Sequence, residues 1–447
     1  MNEDNLNQFA LDLAKKIQSV RNGLPLSAAM GVINYKLSSI AVQLHVRADT
    51  MSGYSPAVAN TYSLMLLKSG GGKNSSLGLA DRFFFGDAYS VVRDKIYPYY
   101  KKKAEDRLED SGEDRVIHNW VQSISNSTLS GMFAYAESYT LCGVGGLNIE
   151  VDEIGNAVTS KAELFETLLT PYDNGEFAPV AKRTDSNAMD IRGLPVNLFC
   201  FGNKVRLING DTTENKFTQL LDEGYGRRFI FIDDNSDTKD MTPQELLQEM
   251  KASNELQKNS SSIRAKIAST VKSDNFKRIF ELDDDAMLEF ATIKVNGMKY
   301  ISDNKGLDDA VIADYAERHF KTVKLACVYA LFDGNDVVTG RNMTEAFEVI
   351  KESSEVLKKL RKSKPLHVRL LEKMLHEVEP ITSQHMLEYP FINSGWTKKI
   401  LEYIELAKQY AVSHGYEWDE TTKGGVTYYS VIESDELIEN VEAEDVF

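Results

Sequence analysis

Residues Thr61 to Gly78 read TYSLMLLKSGGGKNSSLG. An apolar run of strand character feeds a loop with three consecutive glycines, and a run with helical spacing of apolar residues follows. Few architectures accommodate this order. Glycines let the backbone come close to an anion, and the amides at a helix start carry the positive end of its dipole. The layout predicts a phosphate cradle made of Gly70, Gly71 and Gly72, with Lys73 reaching the terminal phosphates. The full pattern asks for Gly where Leu67 stands and for a hydroxyl where Asn74 stands; Ser75 carries a hydroxyl one step later. Asn74 and Ser75 are the two candidates for the metal-facing side chain. A tight strand-helix turn without a ligand is the plain alternative.

Three further segments follow in order. In LNIEVDE (Leu147 to Glu153) apolar residues alternate and two acids close the run. Such a strand can run beside the loop strand and deliver its acids to the phosphates. Asp152 would hold Mg2+ through water, and Glu153 would orient and deprotonate an attacking water. An edge strand ending in solvated acids is the bland reading. LPVNLFCFGN is a near-continuous apolar run, as buried parallel strands are, and its polar end at Asn203 would touch the γ-phosphate or the lytic water. GYGRRFIFI places Arg227 and Arg228 just before another apolar strand. They would stabilise transition-state charge, in cis or from a neighbouring subunit; two surface charges flanking a strand are the alternative.

In this order the motifs resemble those of superfamily 3 helicases of viruses and phages. They are also similar to phage and prophage ATPases often described as helicase or primase-helicase proteins. The resemblance covers residues 60 to 235. It implies an α/β P-loop NTPase core of AAA+ or RecA-like type, a homo-hexameric ring and ATP with Mg2+ as ligands. It also implies a basic β-hairpin between the acidic strand and Asn203 that lines the pore and grips single-stranded DNA. Lys182 and Arg183, before the turn TDSN, match that hairpin. Leu67 and Asn74 depart from the family's loop.

The net charge of −16 argues against a broadly nucleic-acid-coated surface, although a ring can be acidic outside and basic in its channel. The last fifteen residues, ESDELIENVEAEDVF, hold seven acids and no base. Such a run self-repels and reads as disordered when free. It serves either as a solubility device or as a docking peptide for a polymerase, primase or single-strand-binding protein. Cys142, Cys200 and Cys327 sit far apart in apolar segments, as small core residues in a reducing compartment do. The seven histidines show no metal-binding spacing. No apolar run approaches the roughly 20 residues of a membrane span, and the N-terminus MNEDNLNQF is neither a secretory signal nor a transit peptide. A cytoplasmic location is expected.

Around the core, the pattern predicts an N-terminal helical collar (1–60), the ATPase core (61–235), a helical domain (236–365), a winged-helix domain (366–432) and the acidic tail (433–447). Ser127 and Thr128 are candidate helix caps, and Thr242-Pro243 marks a helix start. The run KKLRKSK at Lys358 to Lys364 reads as a solvated helix end and linker. From Leu366 the order helix, helix, helix, hairpin is that of a winged helix, with Trp396, Lys398 and Lys399 opening the third helix and two strands around Gly424-Gly425. Its acids favour protein contact or weak DNA contact over sequence-specific binding.

Two functions from different classes remain open at this point. One is an ATP-driven translocase or helicase on single-stranded DNA in phage replication. The other is a nucleotide-gated loader or scaffold that recruits replication partners with weak or no ATP turnover. A winged-helix regulator with an ATPase sensor domain is a third and weaker reading.

Overall fold

The computed structural model describes residues 2–21, 23–50, 56–67, 73–125, 128–177, 191–208, 212–233, 242–304, 306–361, 366–377, 379–387, 389 and 400–433. They fall into two compact units: Met1–Lys204 with Lys216–Arg361, and Val205–Asn215 with Lys362–Phe447.

In the first unit, the helix Gln8–Ser19 starts at Asn7, whose side chain accepts from the Ala10 amide. The helix Leu26–Gln43 comes next and is buried from Ala28 to Gln43. A helix that is apolar all round has to be covered all round. Expected in a collar, it instead packs against the central sheet, and its Gly31 leaves no space there. A Cβ on Gly31 would lie 2.2 Å from Cδ1 of Ile232. Two short strands, β1 (Arg47–Ala48) and β2 (Ala57–Val58), pair antiparallel before the chain enters that sheet.

The sheet consists of β3 (Tyr62–Leu67), β4 (Ile124–Ser125), β5 (Leu147–Val151), β6 (Val196–Asn203) and β7 (Phe229–Asp233). All neighbours are parallel, in the order β4-β5-β6-β3-β7. The mixed α/β architecture therefore agrees with the sequence. The neighbour of the loop strand does not. The acidic strand β5 is separated from β3 by β6. The reason lies in the residues: β6 is buried from Val196 to Gly202, so its amides and carbonyls need a strand on each side. The chain leaves β3 for the far edge, returns strand by strand to β6, and then crosses β3 to make β7.

From Lys73 to Ser111 the backbone is helical, with π-helical turns at Asp81–Phe85 and Val92–Ile96. The Thr128 hydroxyl accepts from the Gly131 amide and caps the helix Leu129–Cys142; Ser127 lies outside the described residues. Thr242 and Glu245 form a capping box at the start of Pro243–Asn259. The helices Asp284–Asp303, Asp309–Asp333 and Gly340–Arg361 complete the unit. The last two hold β7 directly. Lys321 Nζ donates to the Phe229 carbonyl at 3.0 Å, and Ser353 Oγ accepts from the Phe231 amide at 2.8 Å. A further strand, β8 (Ile279–Phe280), runs parallel to β1.

The end of Gly340–Arg361 is not the solvated basic run that its sequence suggests. Lys358 covers the rings of Tyr300 and Tyr315 at 4.5 and 4.8 Å. Arg361 pairs with Asp222 at 3.0 Å and Asp308 at 2.6 Å. Residues 362–365 lie outside the described residues.

The second unit contains the helices Leu366–Leu375, Ser383–Met386 and Ile400–Ser413, the short strand β9 (Ile381–Thr382), and a hairpin of β10 (Tyr416–Lys423) and β11 (Val426–Glu433). β11 also pairs antiparallel with β9. Gly424 and Gly425 have φ of 60° and 79°, as a two-residue hairpin turn with both centres left-handed requires. Leu370, Met386, Ile404, Ala407 and Val431 form its core. Trp396, Lys398 and Lys399, and the tail from residue 434, lie outside the described residues. The three cysteines are buried and unpaired with one another. Among the described residues no helix is long and apolar enough to cross a membrane.

Candidate functional site at the carboxyl edge of the sheet

In open α/β sheets, ligands sit beyond the carboxyl ends of strands where the connections diverge. Here β3 connects toward the β4 edge and β6 connects the opposite way, across β3 to β7. The point of divergence is the shared end of β3 and β6, where Leu67 is paired in register with Asn203. The glycine-rich loop leaves from that point. Gly70, Gly71 and Gly72 lie outside the described residues. So do the side chains of Lys73, Asn74 and Ser75, although a helix begins at Lys73.

Two expected acids come to the same edge. β5 ends at Val151, in register with Cys200 of β6. Asp152 follows and is exposed. Glu153 is half-buried, and its Oε1 accepts from the Asn203 amide at 3.4 Å. Asp152, Glu153 and Asn203 are thereby gathered along one edge although β5 and β3 are not neighbours. Both acids line a cavity of about 240 Å³, together with Asn156, Ser160, Lys161, Met132 and Leu164. Among the described residues no group of three or more histidine, cysteine, aspartate or glutamate side chains is placed to hold a metal ion.

The arginines are elsewhere. They precede β7, so they stand at the amino edge of a sheet whose strands all run one way. A five-residue strand, at roughly 3.3 Å per residue, separates them from the carboxyl edge by about 16 Å. Arg228 is 6% exposed; it donates to Asp173 at 2.9 Å and to the Gly224 carbonyl at 3.1 Å. Arg227 pairs with Glu317 on the helix Asp309–Asp333. Both arginines therefore stand at the edge opposite the chain's own glycine-rich loop. The expected hairpin residues Lys182 and Arg183 lie outside the described residues.

Three polar groups near the sheet escaped the sequence reading. Lys204 follows Asn203, and its Nζ pairs with the buried Asp233 at 2.8 Å, joining the ends of the two strands that flank β3. Lys324 is buried, with its Nζ donating to the Val58 carbonyl, Asn60 Oδ1 and the Tyr172 carbonyl at 3.0, 2.8 and 2.7 Å. Burial pulls its ammonium down to about 7. Lys36 is the third. It is the lone charge in the run LSAAMGVINYKLSSIAVQ, and that isolation was the available signal.

No protein-family model matches the chain, and no curated protein matches it.

Proposed function

We propose that the chain is an ATP-dependent motor on single-stranded DNA, of the kind used in phage replication, working as a ring of identical subunits. The observation that carries the reading is the convergence of Asp152, Glu153 and Asn203 on the edge from which the glycine-rich loop departs. Every strand of a parallel sheet ends at that edge; what is particular here is that Glu153 Oε1 accepts from the Asn203 amide at 3.4 Å.

In this reading Lys73 and the loop amides hold the phosphates. Asp152 holds Mg2+ through water, and the ion supplies charge neutralisation at the phosphate oxygens. Glu153 takes a proton from the attacking water, and Asn203 contacts the γ-phosphate. Arg227, half-buried and at the far edge, is the arginine suited to reach a neighbour's nucleotide; Arg228 is buried within the fold. Lys182 and Arg183 would track the DNA backbone by charge, with little sequence preference. The second unit and the acidic tail would contact replication proteins; the hairpin, short strand and helices of that unit are compatible with a winged helix.

Asn74, in place of a metal-facing hydroxyl, is the observation favouring a nucleotide-gated loader or scaffold. Steady-state ATPase activity with and without single-stranded DNA separates the two. A motor shows DNA-stimulated turnover that Lys182→Ala with Arg183→Ala removes while basal hydrolysis persists. Binding without turnover, unaffected by DNA, rejects the motor and leaves the loader.

A further inference from the structure

The helix leaving the glycine-rich loop and the acidic strand are not adjacent in the sheet, yet one buried side chain joins them. Lys36 is 1% exposed and lies mid-helix in Leu26–Gln43. Its Nζ donates to Asp81 Oδ2 at 2.9 Å and to Glu150 Oε1 at 3.3 Å. Asp81 directly follows the helix Lys73–Ala80 and opens the first π-helical turn. Glu150 belongs to β5, whose last residue, Val151, leads into Asp152. Tyr35 donates its hydroxyl to the same Glu150 oxygen at 3.2 Å, and Gln122 Nε2 donates to Asp81 Oδ2 at 2.7 Å.

Two carboxylates thus share one buried ammonium, and their bonding is incomplete. Asp81 Oδ1 is buried without a hydrogen-bond partner among the described residues. A buried acceptor left unmatched calls for an explanation. Among the described residues, both of the bonds Asp81 accepts fall on Oδ2, so its place depends on Lys36 and Gln122 alone. Movement of the loop helix would then alter the hold on Glu150. π-Helical turns recur at functional positions in helices, and one starts at Asp81 itself.

We propose that Lys36 is a positioning residue that ties the loop helix to the acidic strand, so that a nucleoside triphosphate held at the helix start sets the orientation of Asp152 and Glu153. The inference rests on the ATPase reading given above. Lys36 touches neither phosphate nor water. It acts through Asp81 and Glu150, and its loss should affect the chemical step more than binding.

The test uses the full chain with a fluorescent ATP analogue, single-turnover ATP hydrolysis and amide hydrogen exchange. Lys36→Met should bind the analogue within about threefold of the parent and hydrolyse ATP at least about tenfold more slowly. Lys36→Arg, long enough to reach both carboxylates, should recover most of the rate. Nucleotide should slow exchange at Leu147–Val151 in the parent and leave it unchanged in Lys36→Met. Where Lys36→Met folds poorly, Lys36→Met with Glu150→Gln removes the unbalanced charge. Restored melting with a still-depressed rate supports positioning. Rate recovering together with melting, or binding and rate falling in equal proportion, overturns it. The ATPase reading fails separately: a parent chain that binds no analogue, or a Glu153→Gln variant that hydrolyses at the parent rate, removes both claims. A sound parent with a parent-like Lys36→Met removes only this one.

Discussion

At the scale of single residues, what matters is which charges the fold keeps and which it neutralises. Arg228 illustrates the first case. With two partners, a place over the Tyr172 ring and 6% exposure, it is a structural cation. Arg228→Ala should lower stability by about 1–2 kcal/mol, chiefly through the buried guanidinium's lost contacts, because Asp173 is itself exposed. Arg227→Ala, at a more exposed pair, should cost less than about 1 kcal/mol. Chemical denaturation of both variants checks the ranking, and equal losses would contradict it. His319 illustrates the second case. It is packed against Phe290 with ring centroids at 4.8 Å, and burial pulls its ring down to about 4. Between about pH 4 and the unfolded value near 6.5, the unfolded chain binds a proton that the folded chain refuses, so stability rises with pH across that window. His319→Phe should flatten part of the slope in melting temperature between pH 4 and 6.5. Part should persist, because burial lowers His45 to about 4 as well. An unchanged slope would show that His319 is charged in the fold.

At the scale of elements, the helix Leu26–Gln43 is the piece on which the sheet rests. Gly31 lets it settle onto Ile232 of β7, and Lys36 reaches both Asp81 and Glu150. Gly31→Val should cost about 1–3 kcal/mol through overpacking, read as an earlier unfolding midpoint with nucleotide binding retained. A midpoint equal to the parent's would mean that the helix stands farther from β7. Elements of this kind were legible in the sequence where burial is one-dimensional. The apolar runs at 62–67, 196–203 and 229–233 became strands, and the Thr242 cap and the Gly424-Gly425 turn stand where local chemistry put them. Adjacency was not legible. Whether β5 pairs with β3 or with β6 depends on which strand needs two partners, and that is a property of the whole sheet. The ion pairs were equally hidden: Arg361 meets Asp222 from 139 residues away and Lys36 meets Glu150 from 114. A run of basic residues therefore read as solvated when two of them are folded inward.

At the scale of the whole molecule, the first unit unites residues that the sequence pattern divides among a collar, a core and a helical domain. Lys321 and Ser353 from the late helices bond β7, and Leu26–Gln43 from the start of the chain covers the sheet. A nucleotide held at the carboxyl edge would thus be felt by helices on both sides of the sequence, as a motor requires. The edge on which Asp152, Glu153 and Asn203 stand was legible because the first two follow an apolar strand and the third ends one. The arginines, expected to act in cis or from a neighbouring subunit, stand at the edge opposite the loop, a placement set by strand direction, which composition does not show. The most direct measurement of the central claim is ATP binding and hydrolysis by the parent chain and by Glu153→Gln, each with and without single-stranded DNA. The account predicts that both bind ATP within about threefold of each other, that DNA stimulates the parent, and that the variant turns over at least about a hundredfold more slowly. A variant that hydrolyses ATP at the parent rate, or a parent that binds no ATP, would contradict it.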